Sequence, residues 1–291
     1  MTVLVIGATG RVAAHLTKRL GRDGVPVRAL VRNPVKASTA FAGVPGLEIL
    51  AGAFDDQTVL RKAFDNVEVA FLALGTSLEQ IGLEKRLIDA AAQAGLPHLV
   101  RLSVLDPDRL GPYEVARKHG TLDEYLRASG VPHTLLRPAY FSSNLLAAAA
   151  SIAHNDHWIG TAPNGRVAII DTRDVADAAA AVIQDSTLRN AVYHLTGPVA
   201  LTFPQVAEDF SAILGRRITY VAVDEATVRE SMAARGVPNW LVEVALGIDA
   251  AMQANRHATV TDQLQQLIGV PPRTVEDFIH DHRAVFAGAP H

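Results

Sequence analysis

The chain has 291 residues, of which 49% are hydrophobic, and it carries a formal net charge of −3 at pH 7. This hydrophobic content is enough for a large core, while the negative charge and the lack of a long basic run argue against nucleic acid as a partner. The sequence contains no cysteine, which excludes disulfides, thiolate metal sites and a cysteine nucleophile. No apolar run reaches the length of a membrane span and no targeting segment precedes the first predicted strand, so we expect a cytoplasmic protein without membrane contacts.

The first predicted strand leads through a glycine turn into a helix. Val3–Ile6 is a continuous apolar run, typical of a strand buried on both faces, and Gly7 and Gly10 follow it. Glycines at these positions let a dinucleotide diphosphate approach N–H groups at a helix N-terminus, where the helix dipole favours anions. The alternative is a merely tight strand-to-helix turn. The predicted phosphate-binding residues are Gly7, Thr9, Gly10, Arg11 and Val12.

The end of the second predicted strand, residues 25–31, indicates which nucleotide binds. A site that prefers NAD usually has a carboxylate here to bind the ribose 2′-hydroxyl. This chain has Arg32 instead, with Lys36 one turn into the next helix. A guanidinium attracts the 2′-phosphate of NADP, so the sequence favours NADP(H). The alternative is a solvated arginine followed by a lysine at a helix start.

The third and fourth predicted strands, residues 47–50 and 67–74, end in further candidate cofactor residues. We expect Phe54 to lie beside the adenine ring and Asp55 to accept its amino group, although Asp55 or Asp56 also suits a helix cap. After the fourth strand, Leu74, Gly75 and Thr76 are expected to approach the ribose on the nicotinamide side.

The predicted strands alternate with helices, which implies right-handed crossovers and a parallel sheet. The fifth and sixth strands cover residues 99–103 and 134–137, so the fold class is α/β, a doubly wound Rossmann sheet. Ser103 ends the fifth strand, where its hydroxyl can bind substrate or carboxamide, or else a local backbone group. Pro138, Tyr140 and Phe141 follow the sixth strand, with the two aromatic rings offering an apolar wall.

The pattern changes after residue 140. We expect a Rossmann domain over residues 1–140 and a smaller, mostly helical substrate lobe over residues 141–291, with residues 166–195 returning to the Rossmann domain. A cleft between the two would hold the substrate. The predicted elements are strands at 167–170, 192–195 and 218–221 and helices at 174–184 and 203–214.

Several motifs together resemble the NmrA-like atypical short-chain dehydrogenase/reductases, a group that includes NAD(P)H:quinone oxidoreductases and triphenylmethane reductases. The likeness is carried by the Gly7-Ala-Thr-Gly10 turn, Arg32, the Phe54-Asp55 pair and the segments 119–130, 134–144 and 271–278. It covers nearly the whole chain. The resemblance implies a Rossmann fold, NADP(H) as cofactor and a nicotinamide-binding role for the segment that contains Pro138, Tyr140 and Phe141.

The usual catalytic pair of short-chain dehydrogenases, a tyrosine and a lysine four residues later on one helix face, is missing. Tyr113 is followed at that spacing by Arg117, and Tyr125 by Ser129. The resemblance instead places His119 where related reductases have a lysine or histidine, as a ribose or carboxamide ligand or a proton donor. An imidazole suits proton transfer near neutrality. The alternative is a histidine that caps an ordinary helix or faces solvent.

These observations predict an NADPH-dependent oxidoreductase that transfers hydride to a quinone-like or conjugated carbonyl or imine small molecule. The candidate catalytic residues are His119, Ser103 and Tyr140. Because the tyrosine–lysine pair is missing, a non-catalytic NADP(H)-binding redox-sensing regulator is the alternative. We expect no metal site, since His154 and His157 beside Asp156 have no further ligand cluster. The protein is expected to be a monomer or a homodimer.

Overall fold

The main sheet is parallel throughout. The structure is a computed structural model that describes residues 1–288. The strands are β1 (Val3–Ile6), β2 (Val27–Val31), β3 (Leu47–Ala51), β4 (Val69–Leu72), β5 (His98–Leu102), β6 (His133–Pro138), β7 (His157–Gly160), β8 (Val192–Leu195) and β9 (Thr219–Ala222). Seven of them form one sheet in the order β3-β2-β1-β4-β5-β6-β8, with every neighbouring pair parallel. This confirms the predicted doubly wound Rossmann sheet.

Helices cover both faces of this sheet. They are α1 (Arg11–Arg22), α2 (Pro34–Ala40), α3 (Gln57–Phe64), α4 (Gln80–Gln93), α5 (Glu114–Ala128), α6 (Ala149–Asn155), α7 (Thr172–Gln184), α8 (Phe203–Leu214), α9 (Glu225–Ala234), α10 (Asn239–Gln253), α11 (Gln263–Ile268), α12 (Val275–Asp281) and α13 (Arg283–Ala287). In β1, Val3 and Val5 pack with α1 and α7, whereas Leu4 and Ile6 pack with α3, α4 and α5. This alternation explains the continuous apolar run of the first strand, because both of its faces are buried.

The strand order fixes where a ligand binds. The chain passes from β1 outward through β2 and β3 on one side, and then returns to β4 on the other side of β1. In such sheets the crevice at the carboxyl ends of the strands on either side of this switch point is the usual ligand site. The glycine turn after β1 lies at this edge.

A second core, which we call the lobe, lies beyond β6. Here β7 and β9 pair in parallel, and Trp158 packs edge-on against Phe210 and Tyr220, with ring centroids 5.7 and 5.4 Å apart. Phe203, Phe278 and Phe286 belong to the same cluster, which joins α8, α12 and α13. Edge-to-face contacts of this kind add to the stabilisation from buried apolar area.

The predicted strand at residues 167–170 is wrong. The segment is buried, which is why its pattern is strand-like, but its backbone groups bond to three different partners and form no ladder. The amide of Val167 donates to Leu201 O at 2.9 Å, that of Ala168 to His257 O at 2.9 Å, and that of Ile170 to Tyr140 O at 2.9 Å. The sequence also failed to indicate β7, whose four residues are too few for a clear alternation.

None of the helices within residues 1–288 is both long and apolar enough to cross a bilayer.

Candidate active site

The glycine turn after β1 has the geometry that a bound diphosphate needs. Gly7 has φ of +72°, and a Cβ atom there would lie 2.4 Å from the carbonyl oxygen of Ala73. Gly10 precedes α1 and offers no side chain to cap it, so the first-turn amides of the helix point outward. A Cβ at Gly10 would lie 3.1 Å from Gly7 O. The start of α1 therefore presents N–H groups and the positive end of the helix dipole at the sheet switch point.

The cationic end of β2 lies beside this turn. The guanidinium carbon of Arg32 lies over the ring of Phe54, 5.5 Å from its centroid. Phe54 is buried, so its ring supports the exposed Arg32 side chain from the core. Asn33 caps α2 by accepting from the amide of Lys36 at 2.9 Å. Arg32 and Lys36 thus both extend from structured positions at the carboxyl end of β2.

The two aspartates after β3 have different roles in the structure. Asp56 caps α3, because its Oδ1 accepts from the amides of Thr58 and Val59 at 2.7 and 3.2 Å. Asp55 is half exposed and contacts Arg86 at 3.4 Å. The cap alternative therefore belongs to Asp56, and the carboxylate of Asp55 faces outward.

A cavity of about 500 Å³ continues from the turn into the cleft between the sheet and the lobe. Eleven of the predicted site residues line it, and six lie outside its lining: Gly7, Thr9, Arg32, Lys36, Phe54 and Asp55. From the lobe, α10 adds an apolar wall. The predicted residues in the lining are Gly10, Arg11, Val12, Leu74, Gly75, Thr76, Ser103, His119, Pro138, Tyr140 and Phe141.

Arg11, which follows the glycine turn, connects it to the segment after β6. Its Nη1 donates to Asn144 Oδ1 at 2.5 Å and to Ser143 Oγ at 3.3 Å. Gly75 lines the same cavity, and a Cβ there would meet nothing within 4 Å among residues 1–288. The space beside Gly75 is therefore open to a ligand.

Ser103 has a buried hydroxyl that lines the cavity. The residue is 2% exposed, and Ser103 Oγ has no hydrogen-bond partner within residues 1–288. Leaving a buried hydroxyl without a partner costs about 1–3 kcal/mol. A ligand group that hydrogen-bonds with this hydroxyl would remove that cost.

His119 is buried on the cavity side of α5, neither capping the helix nor facing solvent. It is 7% exposed, and Arg101 Nη2 lies 3.3 Å from His119 Nδ1. Arginine only donates, so this contact uses the lone pair on Nδ1 and leaves the proton of the neutral ring on Nε2. Nε2 lies 3.5 Å from the side-chain nitrogen of the buried Gln80. Burial, aided by the positive charges of Arg101 and Lys118, holds the pKa of His119 well below its usual range. The side chain is therefore a neutral hydrogen-bond donor rather than an imidazolium acid.

A buried charge cluster holds Arg101 beneath His119. The fully buried Arg101 contacts Glu84 at 2.9 Å and Asp123 at 2.5 Å, and Arg137 contacts the other oxygen of Asp123 at 2.9 Å. The cluster balances two positive with two negative charges. The sequence pointed to none of its members; an arginine within the apolar β5 run was the one signal of a buried partner.

Lys118, next to His119 on α5, is also buried. Its Nζ donates to Ser77 O at 2.8 Å and contacts Glu114 at 2.5 Å. It thereby joins α5 to the loop after β4. Ser77 acts here through its carbonyl oxygen, and no side-chain cap is present at the start of α4.

Tyr140 forms the lobe side of the cavity next to Asn144. Its ring packs edge-on against Phe203 with centroids 6.1 Å apart. Burial, with the nearby charge of Asp249, raises the pKa of Tyr140 well above its usual range. The phenol therefore stays neutral. This favours the wall role over that of a base.

The histidines that suggested a weak metal site are separated. His154 lies in the last turn of α6, His157 begins β7, and Asp156 between them forms an ion pair with Arg216. Within residues 1–288, histidine, aspartate and glutamate form no group of three that could hold a metal ion.

We predict that His119 keeps one proton, on Nε2, well below the pH at which free histidine titrates. The physical reasons are the burial of the ring, which disfavours the charged form, and the guanidinium at Nδ1, which opposes protonation of that nitrogen. Long-range proton–nitrogen NMR correlations on specifically labelled protein would show the Nε2-protonated tautomer at pH 6. An imidazolium signal at that pH, or a proton on Nδ1, would contradict the assignment.

Comparison with known proteins finds reductases that are similar to this chain over nearly its whole length. The chain is 29% identical to an NAD(P)H azoreductase of Xenophilus azovorans over an alignment of 287 residues. This alignment covers 99% of this chain and 100% of the relative. It is 31% identical over 286 residues to the (4-alkanoyl-5-oxo-2,5-dihydrofuran-3-yl)methyl phosphate reductase of Streptomyces griseus, covering 98% and 99%. An NADPH-dependent quinone oxidoreductase of Escherichia coli, solved with NADPH, has a TM-score of 0.89 at 28% identity and covers 97% of this chain and 100% of that one.

The profile of the NmrA-like family matches residues 1–279. This match spans the glycine turn, the whole main sheet and the lobe up to α12. The resemblance noted from the sequence is confirmed: the chain belongs to the NmrA-like family.

Proposed function

We propose that the protein is an NADPH-dependent reductase that transfers hydride to a quinone-like or conjugated carbonyl or imine small molecule. The observation that carries the proposal is the pair of buried donors, Ser103 and His119, which line one cavity together with Gly10 of the glycine turn. The relatives are NAD(P)H-dependent azo and quinone reductases and a further reductase, which confirms the predicted reductase class and the NADPH cofactor. They do not favour the regulator alternative.

The residues present fit NADPH. The amides of the first turn of α1 would bind the diphosphate where Gly7 and Gly10 let it approach, and Arg32 with Lys36 would bind the 2′-phosphate. Asp55 would accept from the adenine amino group. Bound NADPH supplies the hydride, and the protein contributes orientation and electrostatics. Gly75 and Thr76 would contact the ribose, while Ser103, His119 and the segment from Pro138 to Phe141 would surround the nicotinamide.

Ser103 and His119 orient the bound groups by hydrogen bonds and do not transfer a proton. A neutral imidazole with its proton on Nε2 donates a hydrogen bond well but is a very weak acid, because losing that proton would leave an imidazolate. A quinone-type acceptor suits such a site, since its reduced oxyanion is stabilised by delocalisation and solvent can protonate it. The apolar walls provided by Tyr140 and Phe141 suit a flat substrate.

Rapid mixing of NADPH-loaded protein with a panel of quinones tests the proposal. We expect loss of the reduced-nicotinamide absorbance with at least one acceptor. NADPH binding without oxidation by any acceptor, together with a protein partner recovered in one nucleotide state only, would instead support the regulator.

The variant His119→Ala is expected to slow reduction about tenfold to a hundredfold, because one buried donor is lost. His119→Gln, which retains an N–H donor, should lose less. The exposed His154→Ala is the matched control and should leave the rate unchanged. A rate for His119→Ala equal to that of the control would return His119 to a purely structural role.

The remaining parts of the proposal rest on the sequence alone. The net charge and the lack of a basic run favour a small molecule over nucleic acid as the partner. The absence of cysteine fits the cytoplasm. A monomer or a homodimer is proposed for the oligomeric state.

A further inference from the structure

Two polar residues line the cavity on its lobe side. Tyr113 directly precedes α5 and is 4% exposed; His257 follows α10 and is 7% exposed. The hydroxyl of Tyr113 lies 3.1 Å from His257 Nε2. Both line the cavity that also contains Ser103 and His119. The roles described above use neither residue.

The surrounding backbone holds this pair in place. A Cβ at Gly247 of α10 would lie 3.1 Å from the Cβ of Tyr113, so the helix packs closely on the tyrosine. The carbonyl oxygen of His257 accepts from the amide of Ala168 at 2.9 Å. Next to the pair, Arg256 contacts Asp106 at 2.5 Å. These contacts tie the segment after β5 to the segment after α10.

Tyr113 and His257 together have one more polar hydrogen than their mutual hydrogen bond uses. A neutral tyrosine and a neutral histidine carry two polar hydrogens, one O–H and one ring N–H. Their mutual hydrogen bond uses one of these. Nδ1 of His257 has no partner within residues 1–288. Whichever tautomer is present, one O–H or N–H of the pair therefore has no hydrogen-bond partner among the described residues.

Both groups are neutral near pH 7. Burial, with the charge of Asp106 nearby, raises the pKa of Tyr113 to about 12. Burial also lowers the pKa of His257, against the opposing effect of Asp106. The positive charge of Arg256, which also lowers the pKa of His257, is paired with Asp106. The pair thus offers a donor without a net charge.

The wall that α10 adds to the cavity is apolar. Leu241, Val244 and Ile248 of α10 line it together with Val115. Arg11 is the one charged side chain in the lining formed by residues 1–288, and it already donates to Asn144. An anionic group placed beside α10 would lose its hydration with no cation to compensate, which is strongly unfavourable.

We infer that Tyr113 and His257 form the polar substrate-binding contact of this site, and that the substrate is an uncharged, mostly apolar acceptor with a carbonyl oxygen that receives their free hydrogen. The inference rests on the proposed reductase function, because it assigns the substrate class of the same cavity. The two residues bind the carbonyl end of the substrate, whereas Ser103 and His119 serve the nicotinamide side.

The test compares naphthoquinone with naphthoquinone sulfonate, which differs by one negative charge. Calorimetry on protein loaded with NADP+ measures binding where no hydride is available. We expect the neutral quinone to bind at least tenfold more tightly than the sulfonate. Equal affinities, or no binding of the neutral quinone, would overturn the inference.

The double variant Tyr113→Phe/His257→Leu removes both donors while retaining apolar bulk. It should weaken naphthoquinone binding about tenfold, the value of one hydrogen bond of roughly 1.4 kcal/mol. Either single change leaves one donor in the pair and should cost less than the double change. Unchanged NADPH affinity and circular dichroism would show that the fold is intact, and unchanged quinone affinity in the double variant would overturn the inference.

The two proposals fail in different ways. If the wild-type protein binds naphthoquinone through this pair but never oxidises NADPH, the reductase function fails and the substrate contact stands. If NADPH is oxidised normally by the double variant with an unchanged KM for the quinone, the contact fails and the reductase function stands.

Discussion

Replacing Arg101 with methionine is expected to lower the free energy of unfolding by about 3–5 kcal/mol, the usual cost of breaking a buried ion pair. Arg101 is fully buried and contacts Glu84 and Asp123. Without its guanidinium, Asp123 would keep Arg137, whereas the buried carboxylate of Glu84 would have no cationic partner among the described residues. Urea unfolding at pH 7 measures the loss. A decrease below about 1 kcal/mol would show that the cluster contributes little to stability.

The double variant Arg101→Met/Glu84→Gln is the informative control. It removes one charge of each sign and leaves the Asp123 and Arg137 pair, which lies at 2.9 Å. Much of the lost stability should therefore return. The exposed Arg61→Met on α3 serves as the matched surface change and should alter the unfolding free energy by less than about 0.5 kcal/mol. Both results together separate the charge imbalance from the loss of an arginine as such.

The same change should alter His119. Once the guanidinium no longer faces Nδ1, nothing in the cluster requires a lone pair at that nitrogen. The proton can then move between the two ring nitrogens, and the NMR spectrum of the double variant should show a mixed or changed tautomer. Arg101 is in this sense a positioning residue, which acts on the cavity through His119.

The first half of the fold was predictable because its signals are local. An apolar run, a glycine and an amphipathic helix lie within a few residues of one another, and each of the first six strands begins and ends within two residues of its predicted bounds or overlaps them. The glycine turn was equally local. Its shape follows from backbone geometry, since φ at Gly7 is +72°.

The rest of the site depends on contacts between distant parts of the chain. Arg101 meets carboxylates that lie 17 positions before it and 22 positions after it. Tyr113 and His257 are 144 residues apart. Residues 167–170 are buried like a strand but bond to three separate segments. Neither periodicity nor a motif reports such pairings, because each requires the fold before the partners can be named.

The variant Arg32→Glu should weaken NADPH binding about a hundredfold while it changes NADH binding less than threefold. The charge-assisted contact to the 2′-phosphate accounts for about 1.5–3 kcal/mol, and the new carboxylate adds repulsion. NADH has no 2′-phosphate, so neither effect applies to it. The position of Arg32 over Phe54, 5.5 Å from the ring centroid, orders the guanidinium before the cofactor binds.

Calorimetric titration with both cofactors at low and high salt measures this difference. The ratio of the two affinities should shrink as salt rises, because Arg32 is exposed and its interaction is screened. Arg22→Glu is the matched control: this exposed arginine ends α1 at the far edge of the sheet, and the change should affect neither cofactor. Equal losses of NADPH and NADH affinity in Arg32→Glu would refute the assignment of the 2′-phosphate to this residue.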